Sequence, residues 1–196
     1  MANLKDLKNR IASVKSTRKI PKLLSGTGSD QVQLLVVMTS ERGLCGGFNT
    51  NIVKKARAKA EELQSAGKTI KILTVGKKGR DQLKRDYGDH FIGHVDMTEV
   101  KRLGYSDAQG IAKDILGRFD AGEFDVATLF YASFVNVVTQ NPQAQQIIPA
   151  KFDDAGEDGG GTTLFDYEPS EEAILADLLP RGVATAIFSG LLENAA

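Results

Sequence analysis

The chain has 196 residues, with 25 Lys/Arg balanced by 25 Asp/Glu and a hydrophobic share of 41%. Balanced charge gives no whole-chain attraction to nucleic acid or lipid, and no apolar run is long enough to span a bilayer. A single cysteine excludes an internal disulfide and suits a reducing compartment, so the expectation is one well-buried domain with additional helices.

The charge is unevenly placed. From Lys5 to Lys22 there are seven Lys/Arg against the single Asp6, and from Asp153 to Asp177 nine Asp/Glu and no Lys or Arg. A basic start and an acidic later segment suggest partners at both places, against the plainer reading of two solvated faces. No hydrophobic signal segment follows Met1, and the start lacks the Ser/Arg-rich character of an organelle transit peptide.

Leu4, Leu7, Ile11 and Val14 recur at intervals of three and four, a narrow a/d seam suited to packing against one other helix. The seam predicts an N-terminal coiled-coil helix over 1–20 that stops at Ile20-Pro21, because proline cannot continue a helix and biases its predecessor away from one. Residues 21–31, with Ser25-Gly26-Thr27-Gly28-Ser29, read as a flexible linker.

From Val32 the pattern alternates between strand and helix, which predicts an α/β domain over 32–168. Val32 to Met38 is a buried strand. A helix starting near Thr50 and ending near Gly67 carries Ile52, Val53, Ala56, Ala60 and Leu63 on one face. Ile70 to Val75 is the second strand, Lys77 to Tyr87 a short helix, and Phe91 to Val95 the third strand. Ser106, with Gln109 three residues on, is expected to cap a helix whose Ile111, Ala112, Ile115, Leu116 and Phe119 face inward. Val126 to Val138 reads as a long strand, and the stretch around Gln145 to Pro149 as its hairpin return. These spacings imply a mainly parallel, Rossmann-like sheet with helices on both faces and an antiparallel edge.

Asp153 to Thr163 is a polar, acidic loop expected to be mobile. Ser170 is placed to cap a final helix over 169–196, with Ile174, Leu175, Leu178, Leu179, Val183, Ile187, Leu191 and Leu192 as its apolar face and a kink expected at Pro180.

The stretch Thr39-Ser40-Glu41-Arg42-Gly43-Leu44-Cys45-Gly46-Gly47-Phe48-Asn49 joins a buried strand to a helix through a glycine-rich turn, where α/β proteins often bind phosphate. One reading is therefore a stand-alone nucleotide- or phosphate-binding enzyme. The spacing argues against it. The glycines at 43, 46 and 47 do not fit G-x-G-x-x-G, no acid ends the second strand, and Gly47 is followed by Phe48 where a Walker loop needs Lys. A structural turn through Gly43, Cys45, Gly46 and Gly47 fits better, with Cys45 as a small buried residue. His90 and His94, read on one strand face beside Asp89 and Asp96, lack a second ligand cluster and suit solvated positions at a strand end.

Four stretches, in order along the chain, resemble the γ-subunit family of the rotary F-type ATP synthase. They are Leu7-Lys8-Asn9-Arg10-Ile11-Ala12-Ser13-Val14-Lys15-Ser16-Thr17-Arg18-Lys19-Ile20, then Ser40-Glu41-Arg42-Gly43-Leu44-Cys45-Gly46, then Tyr167-Glu168-Pro169 with Leu178-Leu179-Pro180, and last Leu191-Leu192-Glu193-Asn194-Ala195. The resemblance implies a central-stalk rotor that has no cofactor, metal or catalytic site of its own and couples proton-driven rotation to ATP synthesis at β-subunit sites. Its partners would be the α and β ring, the ε subunit and the c ring, on the cytoplasmic face of a bacterial inner membrane.

The resemblance also implies roles by position. Leu4, Leu7, Ile11 and Val14 would pair with the C-terminal helix. Lys8, Arg10, Lys15, Arg18 and Lys19 would lie near the acidic loops of the ring, and Phe165, Tyr167 and Glu168 would rest on the c ring and ε. One departure stands out. In the family the first helix continues for many residues beyond Lys-Ile, whereas here Pro21 follows at once. Both halves of the coiled coil are stubs, and the expectation is a sequence that gives part of a longer subunit.

Overall fold

The computed structural model describes residues 22–136, 139–150 and 171–195. The expectations for 1–20, for the acidic loop and for Phe165, Tyr167, Glu168 and Ser170 lie outside those residues.

Five strands form one sheet in the order β3-β2-β1-β4-β5. Strand β1 (Val32–Met38) is almost continuously apolar and sits centrally, buried on both faces as a parallel strand covered by two helical layers must be. It pairs in parallel with β2 (Thr69–Val75) and β4 (Val126–Phe134), with Val36 opposite both Leu73 and Leu129. Strand β3 (Phe91–Val95) extends the parallel part beyond β2, and β5 (Gln140–Ile148) returns antiparallel to β4.

The period-two alternation of β1 sorts the core into two layers. Leu35 and Val37 pack toward helices α1 (Phe48–Ser65) and α2 (Lys77–Tyr87), meeting Ile52, Val53, Ala56 and Leu83. Leu34, Val36 and Met38 pack toward α3 (Tyr105–Asp120) and α4 (Glu171–Ala195), meeting Ile111, Ile115, Val183 and Ile187. The expected apolar stripes of α1 and α3 are the buried ones, with Leu116 half-buried at the margin.

Four expectations need correction. The first helix begins at Phe48, two residues before Thr50. Helix α3 is capped at Gly104 and not at Ser106. Starting earlier brings Asp107 to the third helical position, where its Oδ2 accepts the Gly104 N–H at 2.9 Å while the Asp107 N–H donates to the Gly104 carbonyl at 3.1 Å. Strand β4 stops at Phe134 and not at the expected Val138; just beyond it Asn136 accepts the Thr139 N–H with its side chain at 2.8 Å and with its carbonyl at 3.1 Å. In α4, Leu179, Val183, Ile187 and Leu191 are buried, but Leu178 and Leu192 point outward. A stripe packed on one sheet and one helix is narrower than the sequence run suggests. Helix α4 continues through Pro180.

Residues 22–25 form a helical turn whose Leu23 reaches the core. The loop after it is held by Asp125, which accepts Thr27 Oγ1 at 2.7 Å, Ser29 Oγ at 2.9 Å and the Val32 N–H at 3.0 Å. Partial burial pushes the Asp125 carboxyl pKa up, but the hydrogen bonds from Thr27, Val32, Ser29 and Gln31 outweigh it and hold the carboxyl below the usual carboxylate range. A folded-state pKa below the unfolded one stabilises the fold above the unfolded pKa, and that contribution is lost as pH falls through the folded value. Asp125→Ala should therefore cost about 2 kcal/mol at neutral pH. The deficit relative to the parent chain should shrink on acidification past the ordinary carboxylate pKa, read by urea denaturation at a series of pH values.

Candidate functional site

Doubly wound sheets bind ligands at the carboxyl ends of their strands, beside the point where strand order reverses. Here that point lies between β1 and β4, and the chain's own side chains occupy the edge around it. The Thr39 N–H donates to the Val75 carbonyl at 2.8 Å, and buried Thr39 Oγ1 accepts the Gly79 N–H at 2.7 Å. Glu41 spans the ends of β2 and β3. Its Oε1 accepts the Met97 N–H at 2.7 Å, and its Oε2 accepts the Lys77 N–H at 3.0 Å and Thr98 Oγ1 at 3.4 Å. Lys77 opens α2, so a carboxylate already lies at the helix terminus that a phosphate would favour.

The glycine-rich turn is closed from within by Asn49, which is buried. Its Oδ1 accepts the Ser40 N–H at 2.9 Å, and its Nδ2 donates to the Arg42 carbonyl at 3.3 Å. These bonds tie the first turn of α1 to the end of β1 and leave the intervening residues as a projecting loop. Gly43, Cys45, Gly46 and Gly47 are all exposed, so the turn is structural in geometry but Cys45 is not the buried residue expected. Gly46 has φ +54°, and Leu44 has φ +62° with a fully exposed side chain, a left-handed conformation that only glycine adopts without cost. The same left-handed path carries Cys45 away from the core.

The histidines do not share a strand face. His90 closes a 3-10 turn (Gly88–His90) and its ring lies 6.1 Å from that of Tyr87, whereas His94 is on β3 with Nδ1 2.9 Å from Thr74 Oγ1. Among the described residues, no group of three or more His, Cys, Asp or Glu could hold a metal ion, and no helix is long and apolar enough to cross a membrane.

On the other side of the edge, the last turn of α4 reaches over β1 and β4. Asn194 Oδ1 accepts the Ala132 N–H at 2.9 Å, its Nδ2 donates to the Met38 carbonyl at 3.1 Å, and Glu193 Oε2 accepts the Phe134 N–H at 2.6 Å. Burial pushes the nearby Tyr131 hydroxyl pKa up, and the charge of Glu193 adds to the effect. Glu41, Asn49, Glu193 and Asn194 lie in stretches quoted from the sequence, but none was given a structural role there. Each is a lone polar residue whose partners are distant, and the one local signal was Glu41 and Asn49 flanking the glycines. The seam Leu4, Leu7, Ile11 and Val14 and the cations Lys8, Arg10, Lys15, Arg18 and Lys19 lie outside the described residues.

The same arrangement of sheet and helices occurs in solved ATP synthase structures. The chain superposes on the structure of the central stalk and c ring of the Tetrahymena thermophila mitochondrial ATP synthase with a TM-score of 0.66 at 20% identity, covering 98% of this chain and 93% of that one. It superposes on a chain of the Euglena gracilis mitochondrial OSCP/F1/c-ring structure with a TM-score of 0.61 at 18% identity, covering 97% and 74%.

In sequence, the family model described as ATP synthase matches residues 21–196. The ATP synthase gamma chain of Roseobacter denitrificans is 63% identical over 243 aligned positions, covering all of this chain and 83% of that relative. That of Ruegeria sp. is 62% identical over 242 positions with the same coverage. The chain belongs to the ATP synthase gamma-chain family. The 243 aligned positions exceed the 196 residues of this chain by 47, so the Roseobacter relative carries residues inside the aligned span that this chain lacks.

Proposed function

We propose that this chain is part of a central-stalk rotor subunit of a proton-translocating F1Fo ATP synthase, and that the whole subunit couples rotation of a c ring to ATP synthesis at β-subunit sites. The observation that carries the reading is 63% identity to an ATP synthase gamma chain along the whole of this sequence. Its partners are then the α and β ring, the ε subunit and the c ring. The subunit is peripheral on the cytoplasmic face of a bacterial inner membrane and reaches lipid only through those partners. Catalysis belongs to the partners, and no cofactor is assigned to this chain. The occupied strand edge supports that division, since Glu41, Asn49 and Asn194 use the backbone groups that a nucleotide phosphate would otherwise engage.

The roles of individual residues follow the family pattern. Leu4, Leu7, Ile11 and Val14 form the seam against the C-terminal helix. Lys8, Arg10, Lys15, Arg18 and Lys19 face acidic loops of the ring, and Phe165, Tyr167 and Glu168 rest on ε and the c ring.

Untagged chain recovered from detergent-solubilised membranes should co-purify with α, β, ε and c by native mass spectrometry. A lone 21.1 kDa species would overturn the reading. In the same preparation, Arg18→Glu combined with Lys19→Glu should weaken retention of the αβ ring, and more so at low salt, where exposed charges are least screened. Unchanged retention would remove the ring-contact assignment while leaving the family role intact.

A further inference from the structure

Strand β1 ends at Met38, but its neighbour β4 runs on to Phe134, and the last ladder pair between them joins Val37 to Phe130. Ala132 and Phe134, two residues apart, direct their N–H groups to the same side of β4, past the end of β1. Buried or half-buried N–H groups need partners, and here α4 supplies them. The Asn194 side-chain amide is inserted between the Met38 carbonyl (3.1 Å) and the Ala132 N–H (2.9 Å) and bridges the two strands there. Glu193 then takes the Phe134 N–H at 2.6 Å.

Gly190 eases the approach. A Cβ there would press on Met38 Cε and lie 3.3 Å from Tyr131 and 3.4 Å from Leu129. Above this turn α4 meets the core through Leu179, Val183, Ala184, Ile187 and Leu191. Apolar contacts are non-directional and permit a helix to roll by small angles, whereas hydrogen bonds fix direction.

We infer that Glu193 and Asn194 are positioning residues that latch the last turn of α4 to the ends of β1 and β4 and set the rotational angle of the helix on the sheet. The purpose rests on the rotor reading: a helix that carries torque must not roll on the domain it turns. Because Met38 leads directly into Thr39 and the glycine-rich turn, the same latch ties the helix to that projecting loop.

The test uses the full chain by itself, so it does not depend on co-purification with ring subunits. Asn194→Ala should speed amide exchange at Ala132 at least tenfold, and Glu193→Ala should do the same at Phe134. Asn194→Asp should fail to rescue, because it keeps the acceptor for Ala132 but sets a carboxylate against the Met38 carbonyl. The lone Cys45 allows a two-label distance measurement with Leu192→Cys alone. Asn194→Ala should broaden that distance distribution, and Asp125→Ala, destabilising from a site off α4, should not.

Unchanged exchange at Ala132 would overturn the latch. Faster exchange with an unbroadened distance, or equal broadening in Asp125→Ala, would overturn the control of helix angle. If the subunits fail to co-purify, the rotor purpose falls, and these measurements still decide the latch.

Discussion

Gly76→Ala is expected to destabilise the full chain by more than about 3 kcal/mol, near the upper end of single-substitution effects. Gly76 ends β2 and precedes α2 with φ +91°, a conformation that by itself costs an alanine about 1 kcal/mol or more. The larger cost is steric. A Cβ at this position would fall on the carbonyl oxygen of Thr39, well inside contact distance, and on backbone rather than on a flexible side chain. Neither partner can retreat. The Gly76 N–H donates to the Val95 carbonyl at 3.0 Å, and the Thr39 N–H donates to the Val75 carbonyl at 2.8 Å, so relief of the clash breaks hydrogen bonds joining β1, β2 and β3. Gly67→Ala is the matched comparison, with a similar φ of +73° and nothing near its would-be Cβ, and should cost only about 1 kcal/mol. Denaturant midpoints of the two variants check the difference. Equal midpoints would mean that the strand ends are not held as tightly as this network implies.

The strand edge that makes Gly76 intolerant of a side chain was only partly legible in the sequence. Strand β1 announced itself through the unbroken apolar run Leu34–Met38, and α1 and α3 through three-and-four spacing, because burial writes a period into the chain. The parallel order with an antiparallel edge followed from helix-sized spacers and a short final return. What no period records is a single polar side chain that completes a distant backbone. Asn194 serves Met38 across 156 positions and Glu41 serves Met97 across 56. Both lie in stretches that resemble the family, but no local pattern shows which backbone groups they serve. Cys45 misled for a related reason, since a preference for burial belongs to the residue type, while exposure was set by the positive φ of Leu44 and Gly46. Leu178 and Leu192 were read as core because a run of leucines hides which side of a helix the core touches.

A segment missing after Ile20 would lead to the largest functional effect. The Roseobacter gamma chain aligns over 243 positions to the 196 residues here, and the family model begins its match at residue 21. We take the missing positions to lie at the Ile20–Pro21 junction, where the resemblance implies a first helix that continues and this chain meets a proline. The 47 absent positions would, as continuous helix at 1.5 Å per residue, add roughly 70 Å of reach, the scale of a shaft rather than of a loop. Among the described residues, the five strands and the helices of both layers all come from after Pro21. Foot and shaft functions should therefore separate. Assembled with α, β, ε and c, this chain should occupy the c-ring end but leave ATP hydrolysis uncoupled from proton pumping. Inserting the Roseobacter residues after Ile20 should raise the number of protons pumped per ATP at least tenfold, with little change in the stability of the α/β domain. Dye-quenching assays in reconstituted vesicles, read beside ATPase rates, measure the ratio. Equal pumping with and without the insertion would mean that the α/β domain alone engages the ring, and would move the site of coupling from the coiled coil to the projecting turn at Gly43–Gly47.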